Sequence, residues 1–244
     1  RLVGSEMCIR DSSYRIHEDG HLTFVDQATH QGSGPHENQA SPHVHYADLT
    51  PDKLLITCDL GTDQVVVYQV DDLGKLTKTQ TYQTAPGAGP RHIIFHSHYK
   101  TAYLINELNA TIDVLFYDGL GYFEHFQTIS TLPKEYEGQK WAAAIRLSED
   151  GKFLYASNRA HNSIAVYEIL ADGSLVLLEI VPTNGLNPRD FILSPDQEYL
   201  IAVHQDSDNA TVFKRDKTSG RLTELSHDFH VPVSYTHLTL PTKA

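Results

Sequence analysis

Six side chains in this sequence have the types to handle protons and anions: His43, His45, Arg91, Glu107, Arg159 and Arg189. A histidine and a carboxylate can pass protons near neutral pH. A guanidinium grips a carboxylate or phosphate with two parallel hydrogen bonds, so three arginines on one face of an acidic protein suit an anionic ligand. A plainer account of Arg91 and Glu107 is a cross-strand ion pair worth well under ~1 kcal/mol. His43 and His45 stand two apart, hence on one face of a strand. No third or fourth zinc ligand accompanies them, so no metal is expected. His92, His96 and His98 read as turn and rim residues, and Trp141 as a packing aromatic. Asp52, Asp150 and Asp196 recur in turns, which marks them as turn formers. No Gly-x-Ser-x-Gly elbow is present, which argues against a covalent serine route.

The elements that must position these residues repeat along the chain. Leu49–Leu76 is written again, in altered form, at Phe95–Phe123, Leu147–Leu175 and Leu193–Leu222. Each copy holds short β-branched and aromatic runs, such as Gln64-Val65-Val66-Val67-Tyr68, bounded by Gly, Pro, Asp and Asn. No window carries a sustained apolar stripe at helical spacing. Four strands in a repeat of roughly 40–50 residues make one propeller blade, so the expected fold is an all-β β-propeller. If the first two strands of each copy form a hairpin, four cross-strand pairs follow: His45 with Leu60, Arg91 with Glu107, Ala143 with Arg159, and Arg189 with Gln205. All eight positions are then expected around one mouth of the central channel. The anchors and turns stay alike between copies while these positions vary, which is where function should lie.

Composition narrows the partners. Nineteen basic against 31 acidic side chains give a net charge of −12, which disfavours nucleic acid or an anionic membrane surface. No apolar run approaches the ~20 residues that span a bilayer, and no basic start precedes an apolar core. Cys8 and Cys58 suggest no disulfide framework, so a cytoplasmic location is expected. Arg1–Ser12 and Val233–Ala244 fit no blade and resemble translated adapter read-through. The expected domain is therefore a single propeller over residues 13–232. It would hold four blades and, at Tyr14–Gln27, the tail of another: a fragment of a larger closed ring.

Several motifs resemble one family in order and spacing. They are Ser-Pro-His-Val-His (41–45), Asp-Leu-Gly-Thr-Asp (59–63), Gly-Pro-Arg-His (89–92), Asn-Glu-Leu (106–108), Ser-Asn-Arg (157–159) and Asn-Pro-Arg-Asp (187–190). Together they resemble the propeller-type 6-phosphogluconolactonases, the lactonase family, across essentially all of 13–232. The resemblance implies seven blades in the whole ring and hydrolysis of 6-phospho-D-glucono-1,5-lactone to 6-phosphogluconate, with a small anionic sugar lactone as partner and no cofactor. It implies a catalytic set of His43, Arg91, Glu107 and Arg159. Spacing favours His43 and the hairpin argument His45; Arg189 stands in a Pro-Arg context similar to that of the other arginines. Glu107 would be the base, a histidine the proton shuttle, and the arginines would serve the oxyanion and the phosphate. The same fold family includes fungal muconate lactonizing enzymes, so a cycloisomerase acting on a dicarboxylate is one alternative. A non-enzymatic binding platform is the other, since propellers host many functions.

Overall fold

The computed structural model describes residues 2–4, 10–98 and 100–231. Cys8, Tyr99 and the C-terminal flank lie outside them. Nineteen strands are present among the described residues, and no α-helix. A three-stranded sheet joins β1 (Leu2–Gly4), β2 (Arg10–Ile16) and β3 (Leu22–Thr29). Asp11 and Ser12, set aside above with the N-terminal flank, thus stand within β2.

Each of the four copies seen in the sequence is one four-stranded sheet with its strands in chain order. The first is β4 (Val44–Leu49), β5 (Leu55–Asp59), β6 (Gln64–Val70) and β7 (Leu76–Gln83). The second is β8 (Pro90–Phe95), β9 (Thr101–Asn106), β10 (Thr111–Tyr117) and β11 (Phe123–Ser130). Then come β12 (Ala142–Leu147), β13 (Phe153–Asn158), β14 (Ser163–Ile169) and β15 (Leu175–Pro182). The last holds β16 (Pro188–Leu193), β17 (Tyr199–His204), β18 (Asn209–Arg215) and β19 (Leu222–His230). Within a sheet the second strand is apolar and enclosed: every residue of β5, β9 and β13 is buried. The fourth strand is more exposed: β7 carries Thr, Lys and Gln along its length, while β15 is mostly apolar and partly buried. Charged and polar outer strands resist edge-to-edge pairing.

The chain forms two compact units, each with its own core. The first comprises residues 1–96, 100–109 and 113–127; the second comprises 97–99, 110–112 and 128–244. In the first, Ile56, Val65, Val67, Ile93, Leu104, Leu115 and Phe123 pack together. Tyr117 stands 5.0 Å from both Phe95 and Phe123, ring centre to ring centre. In the second, Tyr155, Ile164, Val166, Phe191, Leu200 and Phe213 form the core.

The hairpin register corrects the expected pairs. Leu60, Glu107, Arg159 and Gln205 donate their backbone N–H groups to His43, Gly89, Trp141 and Asn187, two residues earlier than expected. One of the two residues is a β-bulge in the first hairpin of each sheet; the other is already present in the regular ladder inside the bulge. The ladder slips between Val44 and Tyr46, Pro90 and His92, Ala142 and Ile145, and Pro188 and Asp190. The extra residue at each slip is therefore His45, Arg91, Ala143 or Ala144, and Arg189. A bulge re-aims one side chain and strengthens local twist. Four residues beyond each second strand the chain turns through the left-handed region, at Asp63, Ala110, Asn162 and Asp208.

Candidate active site

In the first unit, β8 and β9 bring Arg91 and Glu107 together. The Arg91 Nε lies 2.8 Å from the Glu107 Oε2, and Arg91 is 1 % exposed while the Glu107 side chain is 13 % exposed. The expected meeting of these side chains is realised even though their backbones are out of register, because the bulge turns Arg91 toward its neighbour. Its Nη1 also stands 3.2 Å from the His92 Nε2. A guanidinium has no acceptor, so that contact requires a lone pair on Nε2 and places the His92 proton on Nδ1. His92 is buried and packs edge-on to His45 at 5.6 Å and against Tyr46 at 5.2 Å. The rim role expected for His92 is thus replaced by a place between Arg91 and His45. Its adjacency to Arg91 was the available signal. A single strand offset, however, puts alternate residues on opposite faces and hides such a contact.

His43 and His45 are held differently. His43 precedes β4, and its N–H donates to Asp59 Oδ1 at 2.8 Å. The same oxygen accepts the Gly61 N–H at 3.0 Å, and Oδ2 meets His30 Nδ1 at 2.8 Å. A Cβ on Gly61 would stand 2.0 Å from the Ser41 carbonyl oxygen, so only glycine lets the segment 41–43 lie this close. His30 also meets Asp11 Oδ2 through Nε2 at 2.7 Å. Burial opposes its charge, but the two carboxylates outweigh burial and raise its pKa to about 9. Burial likewise works against ionisation of Asp59, and hydrogen bonds from His30 and the His43 N–H hold its pKa below the ordinary carboxylate value. His30 and Asp59 were not among the sequence candidates; Asp59 was visible only as part of Asp-Leu-Gly-Thr-Asp.

The loop before β8 is tied to the same unit by Asp63. Its carboxylate accepts the Gly87 N–H at 2.7 Å, the Gly89 N–H at 2.8 Å and the Gln39 amide at 2.7 Å. Gly89 has φ +67°, and a Cβ there would stand 2.6 Å from Leu108 Cγ. The turn that delivers Arg91 therefore needs a glycine.

In the second unit, Arg159 lies at the end of the β12–β13 hairpin with its guanidinium carbon 5.3 Å from the Trp141 ring centre. Arg189, at its bulge, donates from Nη1 to the Gln205 Oε1 at 3.3 Å. Trp141 and Arg159 line a cavity of about 310 Å³ with Tyr136, Asn162, Asn187 and Asp206. Among the described residues, no group of three or more His, Cys, Asp or Glu could hold a metal ion, and no helix is long and apolar enough to cross a membrane. Asp150 and Asp196 behave as turn formers: each carboxylate accepts a serine hydroxyl two residues earlier and a backbone N–H two residues later.

Repeated four-stranded sheets of this kind define a protein of the β-propeller class. Residues 11–236 match the family described as Lactonase, 7-bladed beta-propeller, and the chain belongs to that family. It is 41 % identical to a 6-phosphogluconolactonase of Bacillus subtilis, covering 90 % of this chain and 64 % of that protein. A crystal structure of a Lactobacillus plantarum protein is 42 % identical, with a TM-score of 0.92 over 94 % of this chain and 68 % of the other. The periplasmic gluconolactonase of Pseudomonas aeruginosa is 31 % identical, with a TM-score of 0.85 over 94 % of this chain and 67 % of the other. The chain spans about 65 % of the length of the curated relatives it matches.

Proposed function

We propose that this chain carries the chemistry of a lactone hydrolase, and that its substrate is 6-phospho-D-glucono-1,5-lactone, opened to 6-phosphogluconate. The reading places it in the oxidative pentose phosphate pathway of the cytoplasm. The observation that carries it is the enclosed Arg91–Glu107 pair, with His92 and His45 packed beside it, in a chain of the lactonase family. Arg91 orients the Glu107 carboxylate, while Glu107 keeps some exposure to solvent. Glu107 takes a proton from the attacking water. A bond forms between that water oxygen and the carbonyl carbon, and the ring C–O bond breaks. The leaving ring oxygen receives a proton through His43 or His45. The oxyanion calls for a guanidinium, and Arg91 is the one beside Glu107.

Glu107→Gln keeps the size of the side chain and removes its basicity. Measured as lactone-dependent acid release above the spontaneous rate, it should lower kcat by about 100-fold or more with little change in KM. Unchanged turnover removes Glu107 from the mechanism. A muconate-type dicarboxylate is the competing substrate; faster conversion of it than of the lactone overturns the assignment.

A further inference from the structure

Arg91 and His92 follow one another in the chain, and along a regular strand consecutive side chains point to opposite faces. Here they touch, with Arg91 Nη1 3.2 Å from His92 Nε2. The ladder slip between Pro90 and His92 brings them together, because a bulge re-aims the side chain it adds. One guanidinium is thereby held at two points: Glu107 Oε2 lies 2.8 Å from its Nε, and the imidazole takes its Nη1. Arg91 is 1 % exposed and His92 6 %, so little water competes for the contact between them.

The two holds differ in what they need. A carboxylate accepts from a guanidinium whenever it is ionised. An imidazole accepts only through an unprotonated ring nitrogen, and an arginine keeps its proton throughout the working range of pH. Protonation of His92 would set one N–H against another and one positive charge beside another, both inside the unit. The titratable groups that face the ring are Arg91 from β8, Glu107 beyond it at the end of β9, and His45 and Tyr46 from β4. Tyr46 turns its hydroxyl to Asp48 Oδ2 at 2.8 Å. We infer that His92 is a positioning residue for Arg91: neutral, it fixes the guanidinium against Glu107, and protonated, it releases it. The effect on turnover rests on the lactone-hydrolase reading; the link between the two side chains rests on their contact alone.

NMR spectra of the histidine and arginine side-chain nitrogens in the 244-residue chain test the link without turnover. At neutral pH the His92 ring should carry its proton on Nδ1. The Arg91 Nε–H signal should shift as His92 takes up a proton between about pH 8 and about pH 5. In His92→Gln an amide oxygen that does not titrate replaces Nε2, and that shift should vanish. A His92 proton on Nε2 at neutral pH, or an Arg91 signal indifferent to His92, overturns the inference.

Turnover gives the second readout. His92→Leu should lower kcat about 10- to 100-fold with little change in KM, and His92→Gln should recover most of that loss. The acid limb of kcat/KM should contain two ionisations, from Glu107 and His92, and His92→Gln should leave one. If His92→Leu does not fold, His92→Gln and the spectra carry the decision. Equal losses in both variants, or two ionisations remaining in His92→Gln, assign His92 to packing against His45 and Tyr46 and overturn the positioning role. If Glu107→Gln leaves hydrolysis unchanged while the Arg91 signal follows His92, the catalytic reading falls and the link stands. The converse result rejects the link alone.

Discussion

His30 carries charge inside the first unit because two carboxylates face it, Asp59 through Nδ1 and Asp11 through Nε2. Its pKa in the folded chain is raised from 6.5 to about 9, so protonation is linked to folding. The stabilisation is fully present below about pH 6.5, the value of the unfolded chain, and is lost as pH rises through about 9. Melting temperature measured from pH 6 to pH 10 should fall across that window, and His30→Gln should flatten the fall. A profile identical in the variant would show that His30 is not the group responsible. Arg91 and Glu107 present the same physics differently. A buried ion pair contributes little net stability once desolvation is counted. Its value here is orientation: the guanidinium holds a carboxylate that keeps some access to solvent.

The first hairpin of each four-stranded sheet is the element that aims these residues. The bulges at His45, Arg91 and Arg189 each place one extra residue between paired strands, so a side chain that would alternate away is turned toward the neighbouring strand. Close backbone approach does the rest at β4, where Gly61 lies under the Ser41–His43 segment. Gly61→Ala would push a methyl group to within 2.0 Å of the Ser41 carbonyl, which must then move. A loss of about 1–3 kcal/mol in urea denaturation is expected. Faster exchange of the His43 amide, whose bond to Asp59 would be strained, should accompany it. An unaltered midpoint and unaltered His43 exchange would mean that the segment accommodates the methyl group without cost.

For the molecule as a whole, the two units have separate cores, so damage to one should register there first. Phe191 is fully enclosed in the second core. Phe191→Ala should cost about 3–5 kcal/mol through lost burial and the cavity left behind. Hydrogen exchange should then accelerate within residues 128–231 more than within 10–96. Equal acceleration in both would show that the chain unfolds as one cooperative body. Sheets that each contact mainly their neighbours along the chain lead to the first outcome.

Much of this architecture was readable in the sequence, because alternation of apolar and polar residues and the chemistry of turns are local properties. The four-stranded repeats and the Asp-centred turns follow from that pattern; Arg91 meets Glu107 through the bulge and not through the expected register. Hydrogen-bond register was not readable, since a bulge depends on which residues face each other in space and leaves no mark in periodicity. The bulge supplies one of the two residues by which the strand offset differs, and it places His92 in the interior rather than at the rim. The burial of His30 between carboxylates depends on contacts 19 and 29 residues apart in sequence, and no local signal carries such a distance. The sequence by itself determined the blades and the residue types able to act on an anion. Only the tertiary structure decided that Glu107 keeps access to solvent while Arg91 is enclosed, and that Asp206 shares a cavity with Arg159. Burial and charge pairing are properties of packed neighbours, and the order of residues along a chain does not contain them.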